Sequence, residues 1–250
     1  MSKPISSIIY RGPSLIDGSP IVAIAVISKR NRKTGDMLQT YIMRDDMNPL
    51  EASKTGADAA ICGSCVHRGT PTNDSDAKQA KGRSCYVLLG QGPLNVYRSM
   101  LRGIYGEAIT QAKRIALGRG RMVRVGTYGD GAAVPFHVWQ ELTQEALGHT
   151  AYSHQGANSG AAYVPTFFMR SVDSEQEAQS AWNNGERTFR VVSNVADIVK
   201  GKEILCPASK EAGARTTCAA CKLCAGASIK AKSIAIPAHG AGSTHIRKAA

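Results

Sequence analysis

The amino-acid sequence predicts an α/β fold organised around a parallel sheet or barrel. Three observations predict it. From Cys85 onward, apolar runs of strand length alternate with segments of helical spacing, at about 20–30 residues per unit. Polar residues recur where those strands end: Tyr128 and Asp130, His154, Asp173, Ser193 and His239. The carboxyl ends of the strands carry the site in parallel barrels. A chain of 250 residues can also bury one full α/β core.

The elements follow in order. "IVAIAVIS" (21–28) and "MLQTYIMR" (37–44) are β-branched apolar runs flanking "KRNRKTGD", a polar stretch with one glycine, so the N-terminal sixty residues read as β-structure with a hairpin. Residues 66–83 are polar and aperiodic, a long loop joining Cys65 to Cys85. Residues 93–117 have helical spacing, begin on Pro93 and break near Gly103 or Gly106. "MVRVGTYGD" (122–130) is a strand running into a loop, 134–148 a helix closed by Gly148, and 149–155 a short strand. Residues 167–174 form another strand. The helix at 174–185 starts on a capping-box pattern, Ser174 with Glu177. Strands follow at 187–193, 203–209 and 233–239. The chain divides into an N-terminal β-rich region (1–58), a central alternating region with the first cysteines (59–205) and a C-terminal cysteine motif with a final strand (206–250), the last two in one domain. Taken singly, Asp130, Asp173 and Ser193 read as caps of the helices that follow. Their recurrence over several units points to a shared cleft.

Composition bounds the function. Hydrophobic content of 43% and charge of 20% describe a globular chain, and no apolar run approaches eighteen residues, which excludes a membrane-spanning helix from the reading. The first residues hold no apolar run of signal-peptide length. A cytoplasmic location is expected, where thiols stay reduced. The net charge of +12 suggests nucleic acid or a nucleotide as partner. Lys29, Arg30, Arg32 and Lys33 are the candidate phosphate contacts, with a second basic group at Arg119, Arg121 and Arg124. A solvated surface explains the same charges.

The seven cysteines fall into two groups, Cys62, Cys65 and Cys85, then Cys206, Cys218, Cys221 and Cys224. An odd count does not suit a disulfide framework. Thiolates are soft ligands for zinc or iron–sulfur clusters. In the second group, C-x2-C-x2-C plus a distant Cys206 before Pro207 resembles the way ferredoxins wrap a [4Fe–4S] cluster, and Ala219, Ala220, Ala225 and Gly226 let the backbone curl closely. A zinc knuckle from the same four cysteines is the alternative. The first group, C-x2-C-x19-C, can hold a [4Fe–4S] cluster with one iron open to a small ligand such as S-adenosylmethionine (SAM). With His67 added it becomes a closed Cys3His zinc site. A third partition pairs Cys62 and Cys65 with Cys218 and Cys221 in one zinc ribbon and leaves three cysteines spare.

Three stretches resemble a family of bacteriophage proteins that are similar to truncated radical-SAM barrels: "ICGSCVHRGTPTN…GRSCYVLLGQGP", "RMVRVGTYGD" and "CPASKEAGARTTCAACKLCAGASIKAKSIAIPAHG". The resemblance covers about residues 60–240. It implies a partial (β/α) barrel, iron–sulfur binding by all seven cysteines with up to two [4Fe–4S] clusters, and the cytoplasm of an infected host. Radical-SAM enzymes carry C-x3-C-x2-C in one short loop. Here the 66–83 segment must fold back to bring Cys85 beside Cys62 and Cys65. By the same resemblance Asp130 is a candidate near the methionine end of SAM; the strand-end positions add Tyr128 and His154 as catalytic candidates and Gly129, Asp173 and Ser193 as cofactor contacts. The function expected is radical-SAM-like chemistry on a nucleotide or nucleic acid. The alternatives are a non-catalytic, metal-stapled nucleic-acid-binding protein and a scaffold that binds a host factor.

Overall fold

Residues 5–27, 31–156, 160–240 and 243–246 are described in the computed structural model, which is mixed α/β. The chain opens on β1 (Ser7–Pro13), β2 (Pro20–Ile27) and β3 (Leu38–Arg44), an antiparallel series. β2 and β3 are the expected hairpin; β1 lacks the clean apolar run that would have marked it. Ile21 to Ala25 on β2 are all fully buried, as in a strand covered on both faces. Two short helices, α1 (Pro49–Thr55) and α2 (Ala59–Cys62), then replace the β-structure expected there. The Asn48 side chain accepts from the Leu50 and Glu51 amides, and Gly56 closes α1 in the left-handed region.

The alternating region follows the predicted order. The 93–117 segment is two helices, α3 (Gly92–Leu101) and α4 (Gln111–Gly118), separated by β4 (Gly106–Glu107). β5 (Met122–Tyr128) leads to α5 (Phe136–Thr143), which ends at its C-cap, Gln144, sooner than the sequence suggested, while Gly148 opens the next strand. β6 (Gly148–Thr150) and β7 (Tyr152–Ser153) are followed by β8 (Met169–Val172), α6 (Glu175–Asn183), β9 (Thr188–Val192), β10 (Glu203–Leu205), α7 (Cys218–Cys221) and β11 (Ser233–Pro237). Ser174 caps α6 by accepting from the Glu177 amide at 3.1 Å. Glu177 reaches past Ser174 and accepts from the Asp173 amide at 2.8 Å, a shifted form of the expected capping box.

Two sheets result, ordered β4-β1-β2-β3-β5-β6 and β10-β11-β9-β8-β7. Every pairing from β3–β5 onward is parallel. The late strand β11 inserts between β9 and β10. Ala151 alone separates β6 from β7 and forms the seam between the sheets. Its amide donates to the Cys224 carbonyl and its carbonyl accepts from the Met169 amide, both at 2.9 Å.

The larger core runs from Ile8 to Phe168 and contains Trp139, Phe168 and Leu142, all fully buried. A smaller one, around Met169, Cys206, Ala208, Ile234 and Ile236, includes a cysteine of the second group. α4 crosses α5 at Gly118, where a methyl group would overlap the Leu142 carbonyl oxygen. Gly118→Ala is therefore expected to destabilise the protein by about 1–3 kcal/mol, since overpacking against backbone cannot relax by a rotamer change. Denaturant unfolding measures it. Among the described residues, no helix is long and apolar enough to cross a membrane.

Candidate functional site

One cavity of about 350 Å³ is lined by all seven cysteines. Its wall is one face of the parallel strands, seen in the period-two series Arg124, Gly126 and Tyr128 on β5, and Phe189 and Val191 on β9. Residues just past strand ends complete it: Gly129, Asp130, His154, Asp173, Pro207 and His239.

The first thiol group is assembled by a folded-back loop. Cys62 ends α2, and the Cys65 amide donates to the Cys62 carbonyl at 3.1 Å. Thr70 and Lys81 then pair antiparallel, with both N–H···O bonds at 2.9 Å. Gly69 permits this closure: its φ is +80° and a Cβ there would meet the Lys81 carbonyl oxygen at 2.5 Å. The Ser84 and Cys85 amides donate to the His67 carbonyl at 3.2 and 3.1 Å, which sets Cys85 beside the turn carrying Cys65. Arg68 braces the turn by donating to Asp58 and to the Gly56 and Gly63 carbonyls.

His67 faces Ser84 Oγ with Nδ1 at 2.8 Å and Asp173 Oδ1 with Nε2 at 3.1 Å. His154 Nε2 lies 3.6 Å from Asp173 Oδ1 and 3.8 Å from Cys65 Sγ. Asp130 is buried. Its carboxylate accepts from the Ala132 amide, as a cap would, and from the His154 amide, each at 2.9 Å. The capping and cleft readings of Asp130 thus hold together. Burial alone would raise the Asp173 carboxyl, but the two imidazoles hold it far below the usual carboxylate range. Burial works against the charged form of His154, yet Cys65 and Asp173 raise it well above an ordinary histidine.

The second group is tied to both ends of the fold. Thr217 caps α7, whose first residue is Cys218. The Cys218 and Ala219 amides donate to the Lys33 and Thr34 carbonyls at 3.0 and 3.1 Å. Arg187 donates to the carbonyls of Leu223, Gly226, Ala231 and Lys232 at 2.7–2.9 Å and so fixes the loop after the motif. Burial pushes the Cys206 and Cys218 thiols up and the Cys224 thiol up to about 12. In the first group, burial raises Cys62 well above the ordinary thiol range and Cys85 above it.

Asp58, Asp130 and Asp173 line the part of the cavity around the first group, together with Arg68, which pairs with Asp58, and Arg83. Around the second stand Arg124 and Lys33, and Lys33 Nζ lies 3.2 Å from His239 Nε2. Burial alone would lower the Arg124 guanidinium, but Tyr86, Tyr152, Cys218 and Cys224 hold it protonated. Two buried polar side-chain atoms lack hydrogen-bond partners among the described residues, Arg124 Nε and Tyr128 Oη. Both belong to β5. The first is coupled to the second thiol group; the second, whose hydroxyl is raised chiefly by burial, is coupled to Cys62 and Cys85. Buried donors without partners call for an explanation such as a bound ion.

Family models, curated proteins and solved structures yield no match to this chain. Tyr128, Gly129, Asp130, His154 and Asp173 share the cavity, whereas Ser193 is not among its lining residues and the helical turn beyond it is capped by Asn194. Lys29 and Arg30 lie outside the described residues; Arg32 is exposed, and Lys33 turns into the cavity. The second basic group does not form one surface. Arg119 pairs with Glu145, Arg121 donates to the Leu117 carbonyl, and Arg124 faces the thiols. Arg124 was readable as more than surface charge: it occupies the same face of a strand as Gly126 and Tyr128.

Proposed function

We propose that the chain is an iron–sulfur protein resembling radical-SAM enzymes, with a partial (β/α) barrel holding a closed four-thiolate centre and a three-thiolate centre that faces substrate. The observation that carries this reading is that all seven cysteines line a single cavity on one face of the parallel strands. The C-x2-C-x2-C spacing with the distant Cys206 supports a cluster at the second group, since a polynuclear cluster spreads its thiolates over several irons.

This chain's own residues then have defined tasks. Arg124 and Lys33 offset the negative charge of a four-thiolate centre, and the free Arg124 Nε–H is a donor toward sulfur. Tyr128 Oη is the corresponding donor beside Cys62. Asp130 orients the His154 backbone at the mouth of the first centre. The clusters, when bound, supply one-electron chemistry. The substrate class is a nucleotide or nucleic acid, in keeping with a net charge of +12.

Anaerobic purification followed by iron, sulfide and zinc analysis tests the reading. About four irons or more per chain are expected, and SAM is expected to perturb the spin-resonance spectrum of the reduced cluster. Stoichiometric zinc without iron would replace it by the metal-stapled binding protein. For the nucleic-acid part, neutralising Lys29, Arg30 and Arg32 together is expected to flatten the dependence of log affinity on log salt by up to about 3, from a slope near −0.9 per phosphate contact. An unchanged slope would return these residues to the solvated surface.

A further inference from the structure

We propose that His67, His154 and Asp173 form a separate site for one zinc ion. Among the described residues, these three form the one group whose ligand atoms all lie within 4.8 Å of one another. His67 Nε2 and His154 Nε2 stand 3.1 and 3.6 Å from Asp173 Oδ1. Two ligand atoms of a tetrahedral zinc are roughly 3.3 Å apart, given Zn–N and Zn–O bonds of about 2.0–2.2 Å. The three side chains are partly buried and line the cavity.

The surroundings match those of a ligand set. Metal-bound histidines commonly use the other ring nitrogen to hold a neighbouring polar group, which fixes the ring and its tautomer. His67 does so: with Nε2 directed at the site, Nδ1–H donates to Ser84 Oγ at 2.8 Å. His154 is fixed through its backbone by Asp130 at 2.9 Å.

A hydrogen-bonded relay from Asp173 through His154 to the Cys65 thiol is the obvious competitor. A relay needs the acid on one ring nitrogen and the thiol on the other. Here Asp173 Oδ1 and Cys65 Sγ both approach Nε2, at 3.6 and 3.8 Å. That arrangement forms no relay, whereas Nε2 of His154, Nε2 of His67 and Oδ1 of Asp173 are close enough to one another to share an ion. Two histidines and one carboxylate leave coordination positions open toward the cavity, the arrangement of catalytic rather than structural ions. The site uses none of the seven cysteines, so it stands or falls separately from the iron–sulfur reading.

The test compares the full-length wild-type protein with Asp173→Ala, both purified anaerobically, incubated with zinc chloride and desalted. Zinc per chain is expected to be higher by one in the wild type, with iron and sulfide per chain equal in the two proteins. The zinc K-edge difference between them is expected to show nitrogen and oxygen neighbours at about 2.0–2.1 Å and none of sulfur at about 2.3 Å. Equal zinc in both proteins, or a sulfur shell in the difference, overturns the proposal. If Asp173→Ala is insoluble, Asp173→Asn takes its place: it keeps the shape and loses the anionic ligand, and at least a tenfold weaker zinc affinity is expected. Loss of iron in both proteins alike would count against the clusters and leave this site untouched.

Discussion

Cys221→Ser is expected to empty the second thiol centre and to lower the yield of soluble protein several-fold. Metal affinity becomes folding free energy when the ligands meet only in the folded chain, and structural zinc sites reach about 10–16 kcal/mol in this way. The location magnifies the effect here. The smaller core consists of few residues, and Cys206 is one of them, with Cys218, Leu223 and Cys224 packed against it. Burial disfavours the thiolate forms of Cys206, Cys218 and Cys224, and a bound metal offsets that cost. Iron content, soluble yield and melting temperature of the variant read the result together. Unchanged values for all three would remove this group from the metal assignment.

Glu203→Ala is expected to cost about 3–5 kcal/mol, the penalty for leaving one member of a buried ion pair alone. In a chain of this length that lowers the melting temperature by roughly 10 °C. The Glu203 side chain is fully buried on β10 and that of Arg190 is 8% exposed on β9. Arg190 donates to both carboxylate oxygens, at 2.9 and 2.6 Å, and the Val199 amide donates to one of them at 2.9 Å. The pair spans β11, which lies between the two strands. A variant in which both residues become apolar and similar in volume is expected to recover most of the loss. Calorimetry of the single and double variants measures the difference.

The strand–helix alternation after Cys85 was legible because it rests on local signals. Ser174 before an acidic turn, Gly103 at a break, and the apolar runs at 122–128 and 188–192 each act within a few residues. What lay hidden depends on distant partners. α1 is the exception, since its start carries a local signal, Asn48 as cap before Pro49, that the β-reading of this stretch passed over. The splitting of one strand into β6 and β7 depends on Ala151 bonding to Cys224 and Met169, which no local pattern announces. The same division runs through the site. Cys62, Cys65, Cys85 and the second group were visible as residue types at telling spacings. The order of Asp130, His154 and Asp173 along strand ends pointed to one cleft. That His67 and His154 would both face Asp173 required the return of the 66–85 loop, a contact set by Gly69 and by the Thr70–Lys81 pairing.

The position of β11 also sets a timetable for synthesis. β10 pairs with β11 in this sheet, and β11 is made some thirty residues later, at Ser233–Pro237. The carbonyls of Lys33 and Thr34 wait for the amides of Cys218 and Ala219, far later in the sequence. A ribosome that has finished Leu205 has therefore produced a strand with no neighbour to dock on and a cavity with one wall missing. Closure of the molecule waits for the strand at 233–237, and any metal that enters between its walls meets a chain already made to that point. Proteolysis of nascent chains stalled at successive lengths would place that event, with protection of the Lys33–Thr34 segment expected only after the strand at 233–237 has emerged.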